Sequence, residues 1–333
     1  MNLLLIFLII VSFLSTLIIL PFWIRKAKQI NLVWKDAHKV GKTKYIAGSG
    51  GITVVLGFII GTLGYIGIKT FYLKTTDNLI EILALLTSIL LVAGIALIDD
   101  LFGWQHGGLS KKYRIILVIF SAIPLMVINV GESFMMGLDF GILYPLILIP
   151  LGVLGATTTF NFMEGYNGLG ASQGILILTA LSIVNFLIDN SWLSVIGLCM
   201  VGSLLAFYIF NKVPAKVFPG DVMTYPVGAL IAIIAILGNI EKIAILFFIP
   251  YIIEFILKSR GGYKKQSLAK LNPDGSISMP YNKIYGLEHL AIYLLKKYKP
   301  SKKVYERDVV WAINVFQILV ILITFLINKN YLF

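Results

Sequence analysis

The chain has 333 residues, of which 58% are hydrophobic and only 13% are charged, and its mean hydropathy is +0.90. A soluble domain of this length does not have such a composition, so the sequence predicts a polytopic membrane protein. The only cysteine, Cys199, lies inside an apolar run, which excludes a framework of disulfide bonds. The formal net charge of +12 fits either nucleic-acid binding or a membrane topology, and the positions of the basic residues decide between them.

Apolar segments long enough to cross a bilayer recur along the whole chain. The first has no basic residue before it and no small-residue cleavage site after it, so we expect a retained span and not a removed signal peptide. The sequence therefore predicts an all-α fold with about ten transmembrane helices, in a single integral-membrane domain over residues 1–333. The expected spans are 3–22, 46–68, 79–98, 113–130, 142–162, 173–188, 192–210, 222–238, 240–257 and 310–328.

The basic residues set the expected orientation, because the cytoplasmic loops of membrane proteins are enriched in Lys and Arg. If both termini are extracytoplasmic, only four of the 28 basic residues lie outside and 24 lie in the cytoplasmic loops. The longest of these loops is expected at 258–309. Membrane topology, together with contacts to anionic lipid headgroups, thus accounts for the charge, and we expect no nucleic-acid partner. The four outside residues are Lys69, Lys74, Lys242 and Lys329.

Two adjacent carboxylates, Asp99 and Asp100, follow the apolar run that begins at Ile80. If the helix stops there, the backbone dipole opposes both charges, and the two charges also oppose each other. A bound cation, neighbouring Lys and Arg residues or phosphate chemistry would resolve this conflict. A solvated helix end is the simpler alternative.

Further polar residues occur at the ends of other expected spans. Asn161 and Glu164 are one helical turn apart, so we expect them on one face of a helix, and a glycine-rich loop follows. Such residues at membrane depth usually face a protein interior or a site, although interhelical hydrogen bonding would also explain Asn161. Asp221 begins the eighth expected span, where it either caps the helix or contributes to a site.

Three patterns concern packing and local structure. Asn272-Pro273-Asp274-Gly275 is a turn signal, and the segments 267–271 and 276–281 around it predict a short hairpin. Leu287 to Tyr298 has the apolar spacing of a helix, and His289 within it is expected to be structural. Glycines at small-residue spacing in the second expected span predict close packing against another helix. They are Gly57, Gly61, Gly64 and Gly67.

The expected topology brings Asp99, Asp100, Asn161 and Asp221 to one membrane face together with many Lys and Arg residues. Carboxylate and amide oxygens are hard ligands that suit Mg²⁺ or Mn²⁺ and not zinc. Proteins usually bind a diphosphate through a divalent cation together with basic side chains. The alternative class is a cation-coupled or metal transporter. Transporters place their ionisable residues near the bilayer midplane, whereas these lie at span ends, which favours an interfacial enzyme.

Three motifs and the ten-span layout resemble the polyprenyl-phosphate N-acetylhexosamine-1-phosphate transferase superfamily, which includes the bacterial phospho-MurNAc-pentapeptide translocase and the eukaryotic dolichyl-phosphate GlcNAc-phosphotransferase. The sequence is more similar to the eukaryotic enzyme, which has Asn-Gly-Leu where the bacterial motif has Asp-Gly-Leu. The resemblance implies transfer of N-acetylhexosamine-1-phosphate, with GlcNAc as the expected sugar, from a UDP-sugar to polyprenyl or dolichyl phosphate. UMP is released, and a lipid-linked glycan is begun. The motifs are Ile98-Asp99-Asp100, Asn161-x₅-Asn167-Gly168-Leu169 and Phe218-Pro219-Gly220-Asp221.

The resemblance also implies roles for individual residues. Asp221 and Asn161 are expected to hold Mg²⁺, with Mn²⁺ as the alternative metal, and Asp99 and Asp100 are expected to lie at the reacting phosphates. The residues expected to bind the nucleotide sugar are Asn167 and Gly168 at the uracil, Phe218 stacked on it, Lys111 or Lys112 at the pyrophosphate, and Asp36 and Lys39 in the first loop.

Two departures from the family pattern bear on the donor sugar. The His-rich motif of the bacterial translocase is absent, which argues against a MurNAc-pentapeptide donor. The Arg-rich stretch of the eukaryotic enzyme is reduced to Lys264-Lys265-Gln266-Ser267, so recognition of the GlcNAc acetamido group does not follow from the sequence. The Lys- and Ile-rich composition suggests an archaeal source. The sequence leaves open whether the protein is a monomer or a homodimer.

The orientation can be tested with single cysteines in intact cells. Ser276→Cys, in the longest cytoplasmic loop, should be shielded from an impermeant thiol reagent. Thr75→Cys should be labelled, because it lies in an outside loop. The reverse labelling pattern would overturn the expected topology.

Overall fold

The computed structural model describes residues 3–38, 45–135 and 137–332. Helices dominate this part of the chain. They are α1 (Leu3–Gln29), α2 (Gly51–Gly67), α3 (Leu79–His106), α4 (Lys111–Ser121), α5 (Ile123–Val127), α6 (Ile149–Phe162), α7 (Leu169–Leu187), α8 (Ser191–Asn211), α9 (Asp221–Leu237), α10 (Glu241–Phe247), α11 (Ile249–Ser259), α12 (Leu287–Tyr298), α13 (Glu306–Ile327) and α14 (Lys329–Leu332). Two π-helical segments, Ile68–Tyr72 and Tyr144–Leu148, extend α2 and precede α6.

Seven helical segments in the described residues are long and apolar enough to cross a membrane. The predicted all-α polytopic membrane fold is therefore confirmed. The number of ten spans stays a prediction, because α9 is shorter and two expected spans are each divided into two helices, α4–α5 and α10–α11. Pro124 and Pro250 stand in the first turn of the second helix of each pair, where the missing amide N–H is tolerated. The seven segments are Ile6–Gln29, Gly51–Tyr72, Leu79–Trp104, Tyr144–Phe162, Leu169–Leu187, Ser191–Asn211 and Glu306–Ile327.

The helices bring their polar ends together at one end of the bundle, which we call the polar end. The ends of α3 and α6, the α6–α7 loop and the first residues of α9 and α13 meet there around one cavity. An antiparallel hairpin of β1 (Val33–Lys35) and β2 (Tyr45–Ala47) lies beside it. Ala47 forms a parallel bridge with Val217, so the segment before α2 is joined to the loop before α9.

Two further hairpins connect helices. One pairs β3 (Phe134–Met135) with β4 (Leu138–Asp139), between α5 and α6. The other pairs β5 (Lys270–Leu271) with β6 (Ile277–Ser278) and confirms the hairpin predicted around the Asn-Pro-Asp-Gly turn. The predicted helix 287–298 is also confirmed, as α12. His289 within it is buried, and its Nδ1 accepts a hydrogen bond from the Tyr285 backbone amide at 3.3 Å, as a structural histidine does.

The glycine pattern of α2 produces the expected close packing, but not at every position. A Cβ added at Gly57 would collide with Thr16 Oγ1 and would lie 2.8 Å from the Ser12 carbonyl oxygen of α1. A Cβ added at Gly67 would meet no other atom within 4 Å. Close backbone approach between α1 and α2 therefore requires glycine at residue 57 and not at residue 67.

This difference gives a matched pair of variants. Gly57→Ala should lower the free energy of unfolding in detergent by about 1–3 kcal/mol, because the α1 backbone must move to admit the methyl group. Gly67→Ala adds the same methyl group and should leave stability unchanged or slightly higher, since alanine favours helices. Equal effects in thermal unfolding would show that close packing of α1 on α2 does not depend on Gly57.

Candidate active site

A cavity of about 420 Å³ opens at the polar end and collects most of the residues singled out in the sequence. The first loop, the ends of α3 and α6, the α6–α7 loop and the start of α9 all contribute to its wall. The predicted site residues that line it are Asp36, Asp99, Asp100, Asn161, Asn167, Phe218 and Asp221. Gly168 follows Asn167 immediately, and Lys39 lies outside the described residues.

Lys111 and Lys112 are not among the described residues that line this cavity. Both are exposed in the first turn of α4. Arg114, one turn further along the same helix, lines the cavity instead. Its Nε lies 2.7 Å from Asp99 Oδ2, and its Nη1 lies 3.7 Å from Asp221 Oδ2. The sequence predicted Lys111 or Lys112 for the pyrophosphate and assigned no individual role to Arg114.

The Asp100 side chain, in α3, caps the N-terminus of α9. Its Oδ1 accepts a hydrogen bond from the Asp221 amide at 2.8 Å, its Oδ2 accepts one from the Val222 amide at 3.4 Å, and the Ser49 hydroxyl also donates to the carboxylate. These amides belong to the first turn of α9, where a negative charge is favourable. Gly220 precedes them at a φ of +70°, and a Cβ at that position would collide with the Asp100 carboxylate.

The surroundings of Asp99 and Asp100 therefore differ from those expected from the sequence. The α3 helix does not stop at the acidic pair but continues to His106, so the pair does not lie in the last turn. Asp100 instead lies at the positive end of α9. Asp99 is stabilised by Arg114 and by a hydrogen bond from the Leu109 amide to its Oδ1 at 2.6 Å. A solvated helix end is excluded for Asp99, since its side chain is buried.

The carboxylates of Asp99 and Asp221 lie within hydrogen-bonding distance of each other. With Asp100 they place three carboxylates at this corner of the cavity, and among the described residues Arg114 is the cation that faces Asp99 and Asp221. Such a group is incompletely neutralised and suits an additional cation. Among the described residues, no group of three or more His, Cys, Asp or Glu side chains is placed to hold a metal ion by itself. Mg²⁺ does not require one, because proteins usually bind it through one or two carboxylates, water and substrate phosphates.

Asn161 and Glu164 both line the cavity, but they do not share a helical face. The α6 helix ends at Phe162, so Glu164 lies in the following loop, and the predicted helical turn between the two residues is wrong. The Asn161 Oδ1 accepts a hydrogen bond from the Thr224 hydroxyl at 2.8 Å, next to Asp221. Burial raises the pKa of Glu164 to about 8, although its carboxyl accepts a hydrogen bond from the Gly170 amide, so it is mainly neutral at pH 7.

The Asn167 side of the cavity is fixed by a network that the sequence did not reveal. The backbone N–H of Asn167 donates a hydrogen bond to Glu306 Oε1 at 2.9 Å, and the side-chain Nδ2 of Asn167 donates one to Asp36 Oδ2 at 3.2 Å. The His38 Nδ1 lies 3.7 Å from the same Glu306 oxygen, and its ring stacks on Tyr166 with centroids 4.7 Å apart. Two distant parts of the chain, the first loop and the start of α13, thus position Asn167, and no local pattern around Glu306 indicates this role.

Two other predicted nucleotide contacts have defined local structure. Gly168 has a φ of +84°, and its amide donates to Asn211 Oδ1 at 3.0 Å at the start of α7. The Phe218 backbone is joined to Ala47 by a 2.8 Å hydrogen bond, which sets the position of its ring in the cavity wall. In the described structure, none of Lys264 to Ser267 lines this cavity, whereas the next residue, Leu268, does.

Comparison with known proteins identifies the family. The family model described as glycosyl transferase family 4 matches residues 82–239. A relative from Saccharolobus solfataricus is 36% identical over 316 residues, which cover 92% of this chain and 94% of that protein. The chain belongs to glycosyl transferase family 4. This confirms the resemblance to the polyprenyl-phosphate N-acetylhexosamine-1-phosphate transferase superfamily.

Three relatives bear the name of one enzyme. The Saccharolobus protein is provisionally named a UDP-N-acetylglucosamine–dolichyl-phosphate N-acetylglucosaminephosphotransferase. A relative from Sulfolobus acidocaldarius bears the same provisional name and is 30% identical over 314 residues, 92% of each chain. A Dictyostelium discoideum protein named as this enzyme is 28% identical over 270 residues, which cover 68% of this chain and 65% of that protein.

The helix cap at α9 gives a prediction on stability within this family 4 site. Asp100→Ala should lower the free energy of unfolding by about 0.5–2 kcal/mol, the usual effect of losing a cap. Asp100→Asn should cost less, because the amide retains one oxygen acceptor. Thermal unfolding in detergent measures both, with the exposed Asp77→Ala as the control. An unchanged midpoint for Asp100→Ala would contradict the cap.

Proposed function

We propose that this family 4 protein transfers GlcNAc-1-phosphate from UDP-GlcNAc to dolichyl or another polyprenyl phosphate and releases UMP. One observation carries the proposal. Acidic side chains suited to a metal, a paired arginine and the predicted nucleotide contacts Asn167 and Phe218 share one cavity of about 420 Å³ at the end of a membrane bundle. That volume is in the range of small-molecule sites. The names of the relatives supply the sugar and the lipid.

In the proposed reaction, an oxygen of the lipid phosphate attacks the phosphorus that carries the sugar. The bond from that phosphorus to the UMP oxygen breaks, and UMP leaves with the electron pair. The product is a lipid diphosphate linked to the sugar. Enzymes promote such transfers mainly by positioning the reactants and by stabilising charge on the phosphoryl oxygens. Arg114, held by Asp99 and near Asp221, is placed to provide that stabilisation.

We propose Asp99 as the group that takes the last proton of the lipid phosphate, which makes the phosphate a better nucleophile. Both members of the acidic pair were predicted to act at the reacting phosphates. Asp100 is already engaged with the first amides of α9. Asp99 lies beside Asp221 and Arg114, where the charges of donor and acceptor would meet.

A Mg²⁺ ion, or Mn²⁺ in its place, is part of the proposal. Asp221 and Asn161 would hold it, with Asp99 next to Asp221. These are hard oxygen donors, and the excess of carboxylates over guanidinium at this corner fits a divalent cation. When bound, the ion would neutralise charge on the donor diphosphate.

The membrane orientation belongs to the same proposal. The basic residues favour a cytoplasmic polar end and extracytoplasmic termini. The transporter alternative has less support, because the acidic residues gather at the polar end and the named relatives are transferases.

The test is an assay of full-length protein in detergent with a panel of UDP-sugars and a short polyprenyl phosphate. UMP release and the product mass should both report transfer of GlcNAc-1-phosphate, and both should require the lipid. Transfer of another sugar phosphate would keep the reaction and correct the donor. Absence of transfer with every UDP-sugar would contradict the proposed function.

The same assay tests the metal site. Asp221→Asn keeps an oxygen at the start of α9 but loses the charge, so activity should fall about 100-fold or more. EDTA should abolish wild-type activity, and added Mg²⁺ should restore it. The exposed Asp77→Asn is the control and should behave as wild type. Full activity of Asp221→Asn would show that Asp221 serves only the helix end.

A further inference from the structure

A second cavity, of about 620 Å³, lies between α7, α8 and α13 and also opens at the polar end. On α13 its lining residues extend from Arg307 to Ile318. At the rise of an α-helix, this corresponds to a depth of about 16 Å. We call it the side cavity. It shares one lining residue, Asn167, with the candidate active site and otherwise has a wall of its own.

The mouth of the side cavity is positively charged. Lys212 and Arg307 are both exposed there, and the Arg307 Nη2 donates a 2.8 Å hydrogen bond to the Val213 carbonyl, which anchors the guanidinium beside the lysine. In the described part of the chain, no lining residue is acidic, and no carboxylate lies within 4 Å of either cation. The two charges are therefore available to an external anion.

The deeper part of the side cavity is apolar and opens sideways toward the bilayer. Leu205 and Ile318 line it and are 42% and 41% exposed, and Trp311 nearer the mouth is 72% exposed. These exposed side chains belong to α8 and α13, which are long and apolar enough to cross a membrane, so they are available to lipid. One polar contact crosses the wall, a 3.1 Å hydrogen bond from the Ser172 hydroxyl to Asn314 Oδ1. The cavity thus changes from cationic to apolar along its length.

We propose that the side cavity binds one anionic phospholipid of the surrounding bilayer. Its phosphate would lie between Lys212 and Arg307, and one chain would follow the apolar wall toward Ile318. Basic pockets between transmembrane helices at the cytoplasmic surface bind such headgroups. A soluble anion would leave the apolar wall exposed, and a zwitterionic lipid would bring the cation of its own headgroup close to Lys212 and Arg307. Charge and depth together therefore favour an anionic lipid.

Because Asn167 borders both cavities, a lipid in the side cavity would lie against a residue predicted to contact the nucleotide. The Asn167 amide is fixed by Glu306, the residue before Arg307. The lipid would thus bind next to the start of α13, which positions part of the active-site wall.

Binding of phosphatidylglycerol and phosphatidylcholine to the full-length protein in a neutral detergent tests the proposal, with bound lipid counted by native mass spectrometry. The double variant Lys212→Gln/Arg307→Gln should bind phosphatidylglycerol about 30-fold less tightly, because each basic residue contributes about 1 kcal/mol to an anionic headgroup. Lys26→Gln/Lys28→Gln removes the same charge from exposed positions in the last turn of α1 and should change the affinity by less than about threefold.

A variant without a charge change tests the apolar part. Ile318→Trp should fill the deep part of the side cavity and also weaken phosphatidylglycerol binding, although both cations remain. Equal weakening by the α1 control, or equal binding of phosphatidylcholine, would overturn the proposal. Displacement of phosphatidylglycerol by an equal concentration of polyprenyl phosphate would overturn it as well, since the site would then belong to the acceptor. If the double variant changed from dimer to monomer and still bound the lipid, the mouth of the side cavity would instead be a contact surface between two copies of the protein.

Discussion

The candidate active site depends on the hydrogen bonds from the first turn of α9 to the Asp100 carboxylate of α3. They join two helices that are more than a hundred residues apart in the chain. Asp99 precedes the capping residue and Asp221 supplies the first capped amide, so the same bonds bring the backbones of these two residues close, and their carboxylates lie within hydrogen-bonding distance. One structural interaction therefore creates the acidic corner of the site. Arg114 limits the repulsion, and the remaining negative charge makes the corner suitable for a cation.

The two members of the acidic pair have different surroundings because adjacent residues of a helix point about 100° apart. Asp100 faces the positive end of α9 and is held by backbone amides. Asp99 faces Arg114 and the Leu109 amide. Two adjacent residues of the same type thus have different partners. The proposal that Asp99 accepts the proton rests on its place beside Asp221 and Arg114 and not on the sequence pair itself.

The sequence predicted those parts of the fold that depend on composition and local pattern. Apolar runs located the helices, the Asn-Pro-Asp-Gly turn located a hairpin, and the glycine spacing of α2 indicated close packing. These features arise from interactions between residues near each other in the chain or from the bilayer itself. The helix breaks before Pro124 and Pro250 were missed because an apolar run reads the same whether it is one helix or two.

The site was predicted less completely, because its decisive contacts connect distant segments. The motifs identified Asp99, Asp100, Asn161, Asn167 and Asp221, all of which line the cavity. Their partners were not identifiable in the same way. Arg114 looked like one of many topology-determining cations, and only the geometry distinguishes it from the exposed Lys111 and Lys112. Likewise, the contacts of Glu306 with His38 and Asn167 join the first loop, the α6–α7 loop and α13, and no periodicity in the sequence predicts these contacts.

The position of Asn167 connects the two proposals in this protein. Its amide is held by the first residue of α13, and that helix forms a wall of the side cavity. A lipid bound there would therefore stabilise the arrangement in which α13 fixes Asn167. Coupling between two binding sites is reciprocal, so a nucleotide that needs Asn167 in that position would in turn favour the lipid. The coupling would require no large movement, because both ligands would act on the same buried hydrogen bond from opposite sides.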